Sequence, residues 1–339
     1  FGCDHLTEHV KADAAGLLET LLYHFDEPFA DSSALPTYLL SQVTRKRVTV
    51  ALSGDGGDEA FAGYDKYVAE MRERKVRTLL PRSAWGLLAR AARLAPLGWS
   101  NTWQRGAGFL QTLSEDAAGA YFRTQSFTAP EQLTTLFSGD VRSALRGYEP
   151  GAHTAIAYNQ AIGTDPLTAI QAVDFATYLP GDILTKVDRM SMAHSLEVRC
   201  PLLDHRIIEF ALQLPPVFRL YRGEGKRVLK KSLERWLPRS FIDRPKHGFT
   251  IPVDAWFRGP LLPLAEASIL NGGLRWSGLL NMRAAERLLH RHRRGDGNHG
   301  MTLWSLLVLG VWYDRIRGRD EPRPMIAAPT IVEEAAALG

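Results

Sequence analysis

Leu17, Leu18, Leu21, Leu22 and Phe25 fall on one helix face, and this period of three to four residues returns through much of the chain. Asp13 sits where that first helix would be capped, behind a segment near Leu6 to Val10 that reads as a strand. A second helix opens at Ser32 or Ser33, tolerates Pro36 in its first turn, and turns Leu35, Leu39 and Val43 inward. The period then changes. Val48-Thr49-Val50-Ala51-Leu52 is nearly unbroken in apolar, β-branched character, the pattern of a parallel strand covered by helices on both faces. Ala60, Tyr64, Tyr67, Val68 and Met71 restore helical spacing, which places Asp58 and Glu59 in the first turn of the following helix. Helix, strand and helix in succession predict an α/β unit.

After about Arg74 the strand signals fade, and amphipathic helices punctuated by Pro, Gly and Trp are expected as far as Arg317. Thr302 to Tyr313 is the longest apolar stretch and is too short to span a bilayer, so it reads as a buried core helix. Residues 319–339 contain prolines without periodicity and are expected to form a mobile tail. The 339 residues suffice for about two domains. Their 41 basic and 37 acidic side chains leave +4, too mild to require a nucleic acid or a membrane as partner. Two distant cysteines, Cys3 and Cys200, suit a reduced compartment, and a cytoplasmic location is expected. Because the chain opens on Phe1, it is expected to be part of a longer protein.

The candidate chemistry begins where the strand ends. Ser53-Gly54-Asp55-Gly56-Gly57-Asp58-Glu59 joins three glycines, which let backbone N–H groups approach an anion, to carboxylates at the mouth of a helix. A carboxylate beside a phosphate nest repels it unless a cation lies between, and Mg²⁺ accepts carboxylate and phosphate oxygens together. The plainer alternative is an acidic turn in which Asp55 and Asp58 hydrogen-bond local amides.

Two further segments carry charge. Asp182 can cap a helix with Ile183, Val187 and Met190 inward and with Lys186 and Arg189 on the other face. Glu197, Arg199 and Asp204 follow, and suit either a buried ion network at a domain seam or ordinary structural pairing; Asp204 also fits a helix cap. In Arg244-Pro245-Lys246-His247-Gly248-Phe249, Pro245 and Gly248 bracket Lys246 in a loop that could present it to a reacting phosphate or simply to solvent.

These three segments, in this order and spacing, resemble the synthetase domain of glutamine-dependent asparagine synthetases, as do Asp26-Glu27-Pro28-Phe29 and Ser32-Ser33 ahead of the strand. The resemblance implies a PP-loop ATP pyrophosphatase fold, of the adenine nucleotide alpha hydrolase-like kind, with a parallel sheet and a mainly helical C-terminal elaboration. Residues 1–74 would then be the C-terminal part of the α/β core, and residues 75–318 the helical remainder. The family uses ATP and Mg²⁺ to adenylate the side-chain carboxylate of aspartate, and ammonia derived from glutamine displaces AMP. By resemblance Ser53 and Gly54 contact ATP, Asp58 holds Mg²⁺, Asp55 serves the aspartyl-AMP intermediate, and Lys246 steadies the α-phosphate. Many family members carry Glu where Asp55 stands. The family's S-G-G-x-D-S phosphate loop and its amino-terminal cysteine do not occur in this sequence. A preceding glutaminase domain is therefore an expected partner, a homodimer is allowed, and the piece alone is expected to be inactive.

Rival readings are an amidotransferase of polysaccharide or exosortase clusters acting on another carboxylate, a β-lactam synthetase, and a non-catalytic module of the same fold. RNA binding through His290-Arg291-His292-Arg293-Arg294 is a further rival, although that run reads more simply as a solvated helix face. A nucleophile elbow would need glycine where Ala51 stands, and a dinucleotide fingerprint would need one where Glu59 stands. His5 and His9 lack a third ligand at zinc spacing, and Cys200 reads as core filler.

Overall fold

The computed structural model describes residues 14–94, 101–243 and 251–317, together with residues 4, 5, 7, 8 and 10. These segments form a helix-rich α/β structure with one small parallel sheet. Helix α1 (Ala14–Phe25) buries its leucine stripe and Phe25 as the spacing predicts. Helix α2 (Ala34–Arg45) starts after Ser33 and buries Leu35 and Leu39, while Val43 stays half-buried. Ser33 does not cap it with its own side chain. Its backbone N–H and its hydroxyl both donate to Asp31, at 2.9 and 2.7 Å. The described residues 7, 8 and 10 form no strand, contrary to expectation.

Strand β1 (Val50–Leu52) pairs in parallel with β2 (Glu197–Arg199), with Val50 opposite Glu197 and Leu52 opposite Arg199. The ladder extends one residue each way, from Glu197 N–H to the Thr49 carbonyl and from Ser53 N–H to the Arg199 carbonyl, both 2.9 Å. The expected two-sided cover is absent among the described residues. Leu52 is 74% exposed and Val50 is exposed too, because β1 has one neighbouring strand and no helix packed over those side chains. Beyond Arg74, where strand signals fade, β2 is the exception, and it pairs Glu197 and Arg199 with the strand rather than with a buried ion network. Their side chains meet at 2.7 Å on the exposed face, as strand alternation requires of positions two apart.

The helix expected to run from Asp58 past Met71 is broken. A four-residue turn, α3 (Gly57–Ala60), ends at Phe61, and α4 (Asp65–Arg77) begins after Tyr64. Ala62 between them has φ +56°, a left-handed conformation that no continuous helix contains. Helices α5 (Arg82–Arg93), α6 (Asn101–Ser114) and α7 (Ala117–Gln125) follow, with α5 and α6 packed on each other.

The largest core joins α1 and α2 to Met190 and to the helix Gly300–Arg317, whose Leu303, Trp304 and Leu307 are fully buried as expected of that apolar stretch. A second cluster gathers Ala62, Tyr67, Tyr121, Ile170 and Val173, and a third sets Ala60 and Phe61 against Ala211. The last two lie directly behind the α3 turn. His292 of the basic run is fully buried and its Nε2 donates to the Asp254 carbonyl at 2.9 Å, so only the rest of that run is a solvated face. Residues 319–339 lie outside the described residues.

Candidate active site

Ser53 leaves β1 at its carboxyl end, as expected, and the turn folds on itself there. The Ser53 hydroxyl donates to the Asp55 carboxylate, and Asp55 N–H donates back to Ser53 Oγ at 3.1 Å. Gly57 N–H closes the loop on the Gly54 carbonyl at 3.3 Å. Gly56 has φ +87°, and a methyl group there would lie 2.1 Å from the Leu203 side chain. That glycine serves both the turn and the packing of the Pro201–Leu203 turn that follows β2. Gly54 differs: a Cβ on it would meet nothing within 4 Å, so its open side is available to a ligand. Cys200 is half-buried rather than core, with its thiol 3.9 Å from Asp55 Oδ2; burial first, then that carboxylate, raises its pKa.

Asp58 and Glu59 do occupy the first turn of α3, but one short turn has little dipole to offer an anion. They are held by side chains instead. Asp58 Oδ1 pairs with Lys226 Nζ at 3.1 Å. Lys226 reaches it because the chain at Gly225 packs against the break after α3, where Lys226 N–H donates to the Phe61 carbonyl at 2.8 Å. Glu59 is fully buried and accepts the Tyr64 hydroxyl at 2.7 Å; burial outweighs that bond and raises its pKa.

A buried scaffold fixes α3 from behind. Gln171 Nε2 donates to the Glu59 and Ala60 carbonyls at 2.5 and 3.1 Å, and the fully buried Arg219 guanidinium holds the Gln171 side chain. Beside it, Asp174 receives Lys66 at 2.9 Å, the Tyr67 hydroxyl at 2.5 Å and Gln125 at 2.6 Å. Lys66 Nζ also lies 3.9 Å from the Tyr178 ring centroid, and burial lowers its pKa despite Asp174. Removing one partner of such a buried pair costs about 3–5 kcal/mol, so this network holds the turn stiffly.

Asp182 does not cap a helix. It lies inside a wide turn, Leu179–Leu184, that runs straight into the helix Thr185–Met192. Lys186, expected on the outer face, is buried and pairs with Asp31 at 2.5 Å. Burial, and behind it the neighbouring Asp31 carboxylate, push Asp182 up to about 7. Asp204 caps its helix as expected, accepting Arg206 N–H at 2.9 Å. Lys246 and its loop lie outside the described residues, so the site as described comprises Ser53, Gly54, Asp55 and Asp58.

The asparagine synthase family profile matches residues 1–314. The chain belongs to that family. A protein of Mycobacterium tuberculosis provisionally named asparagine synthetase (glutamine-hydrolyzing) is 32% identical over 319 residues, covering 92% of this chain and 46% of the relative. Asparagine synthetase (glutamine-hydrolyzing) 1 of Bacillus subtilis is 28% identical over 318 residues, with 92% of this chain and 48% of the relative covered. The chain thus spans about half the length of the curated relatives it matches.

Lys226, Gln171, Arg219 and the Lys66–Asp174 pair were not singled out by sequence reasoning. A signal existed for two of them. Asp174 interrupts the apolar series Leu167, Ile170 and Val173, and Lys226 follows the turn-forming Gly223-Glu224-Gly225.

Proposed function

We propose that this chain is the carboxylate-activating part of an ATP-dependent, amide-forming ligase, with aspartate as acceptor and glutamine-derived ammonia as nitrogen source. The observation that carries this reading is the turn at the end of β1, where Asp55 is locked to Ser53, Gly54 faces open space and Asp58 already holds a cationic group. A carboxylate has no leaving group. Transfer of AMP to the aspartate side chain with departure of pyrophosphate supplies one, and attack by ammonia on that carbonyl then expels AMP and loses a proton.

The residues fit Mg²⁺-ATP. Asp58 offers a hard oxygen donor whose present counter-ion is an ammonium, and Mg²⁺ bound there would offset charge on the departing diphosphate. Ser53 and Gly54 would contact the nucleotide. Asp55, held in place by the Ser53 hydroxyl, would face the acyl-adenylate, and Lys246 would steady the α-phosphate. Lys226 keeps Asp58 oriented. The PP-loop fold, a phosphate loop and a glutaminase domain supplied by preceding sequence, and a cytoplasmic site of action belong to the same proposal.

The test is aspartate-dependent pyrophosphate release by the full-length gene product. Asp58→Asn is expected to lower that rate by at least about a hundredfold, ~2.7 kcal/mol of transition-state stabilisation, while glutaminase activity persists. Equal loss of both activities would indicate misfolding. Activity with a sugar or peptide acid but not with aspartate would move the acceptor to the polysaccharide-cluster reading.

A further inference from the structure

A nearly buried ammonium stands beside the α3 turn with more than one carboxylate to answer. Lys66 lies in the first turn of α4, its side chain is 17% exposed, and its Nζ meets Asp174 at 2.9 Å. Asp174, on the helix Pro166–Ala176, is fully buried and already accepts the Tyr67 hydroxyl on one oxygen and the Gln125 amide on the other. After Asp174, the carboxylates whose fields reach Lys66 are Glu59 of α3 and Asp182 of the Leu179–Leu184 turn. One cation thus faces carboxylates from three elements.

The rings around Lys66 define where that cation acts. Its Nζ lies 3.9 Å from the Tyr178 ring centroid and 4.9 Å from that of Tyr64, and the two rings meet edge to face with centroids 5.8 Å apart. Tyr64 is the residue from which α4 starts, directly after the break, and its hydroxyl donates to Glu59 Oε1 at 2.7 Å. Glu59 adjoins Asp58 in the same short turn. A turn of four residues has too few internal hydrogen bonds to hold its own orientation, so the direction of Asp58 depends on what grips its neighbours. Gln171 grips the backbone, and Tyr64, with Lys66 over its ring, grips the Glu59 carboxylate.

We propose that Lys66 is a positioning residue for Asp58: its ammonium, anchored on Asp174, fixes Tyr64 so that the Tyr64 hydroxyl clamps Glu59 and the α3 turn presents Asp58 to the ligand. The plainer role, neutralising Asp174 and nothing more, makes a different prediction, because removing both charges together would then leave the turn intact. The clamp stands apart from the reaction assigned above, and only its effect on Mg²⁺ rests on that reading.

The experiment compares Lys66→Met, Lys66→Arg and the double variant Lys66→Met with Asp174→Asn in the full-length gene product. The first readout is hydrogen exchange at the α3 amides, where Ala60 N–H and Gly63 N–H donate to the Gly56 and Asp58 carbonyls, both at 2.8 Å. Exchange there is expected to quicken at least about tenfold in both methionine variants, to stay near wild type in Lys66→Arg, and to be unchanged in α1 throughout. The double variant leaves no charged carboxylate without its cation, so it carries the test should Lys66→Met fail to fold. The second readout is the Mg²⁺ concentration that half-saturates pyrophosphate release, expected to rise at least about fivefold in the methionine variants with KM for aspartate unchanged. Wild-type exchange in the double variant would overturn the proposal, and so would equal loosening in Lys66→Arg, since the cation would then not be what holds the turn. Faster exchange with an unchanged Mg²⁺ requirement would support the clamp and overturn instead the assignment of Mg²⁺ to Asp58.

Discussion

Asp182 ties a single carboxyl to the pH dependence of the fold. Its folded value of about 7 lies above the ordinary 3.8, so the folded state binds the proton more tightly than the unfolded chain does. Below both values nothing is lost. As pH rises from about 4 to about 7 the unfolded state ionises first, stability falls, and the cost is complete above about 7. Asp31 behaves oppositely: burial works to raise it, but the Lys186 ammonium prevails and holds it below 3.8, so its contribution is present above that value and lost in stronger acid. The two effects occupy different windows. Asp182→Asn is therefore expected to add ~1–3 kcal/mol at about pH 8 and almost nothing at about pH 4, read from urea unfolding at both pH values. A uniform shift would mean that the substitution acts through packing. At this scale sequence patterning located Asp182 but neither Asp31 nor the pairing of Lys186 with it. Asp55 and Asp58 stood out because three glycines frame them, whereas Lys186 looked solvent-facing until the 155-residue separation from Asp31 was closed by folding.

The α1 and α2 stripes were legible because each repeats a long apolar period, and burial of Leu17, Leu21, Leu35 and Leu39 follows from it. Strand β2 was not, since three residues with one apolar side chain carry no period to read. The break between α3 and α4 escaped for another reason: Ala60, Tyr64 and Tyr67 keep helical spacing across it, and spacing is blind to the left-handed turn at Ala62. That break makes the site, because it lets the Gly225–Lys226 segment approach Asp58. A Cβ on Gly63 would lie 2.2 Å from both Asp58 Oδ1 and Lys226 Cε. Gly63→Ala is accordingly expected to cost ~1–3 kcal/mol of stability and to reduce pyrophosphate release by prying the pair apart. Adding Lys226→Ala should restore part of the stability but not the rate, since it relieves the clash and leaves Asp58 without its positioning partner. Thermal unfolding of the single and double variants checks this, and an unaltered Gly63→Ala protein would show that the pair yields without strain.

At the scale of the whole molecule, the described residues leave the small sheet open on a side where Leu52 and Val50 stand in solvent. An exposed apolar strand beside a phosphate-type turn is a poor end state, both for solubility and for excluding water from an adenylation step. The proposed function assigns the phosphate loop to sequence outside this chain, which spans about half the length of its curated relatives, and under that proposal the same sequence would cover β1. Leu52 reports on that cover directly, because it is 74% exposed one residue before Ser53. A Leu52→Cys substitution, labelled with a maleimide and located by peptide mass spectrometry, is expected to react rapidly in the chain of residues 1–339 and at least about tenfold more slowly in the full-length gene product. Addition of Mg²⁺-ATP should slow it further in the longer protein alone, since only there would the nucleotide be enclosed. Equal labelling in both would mean that the face of β1 stays in solvent, and the ligand would then have to be held by the residues of this chain without a covering layer.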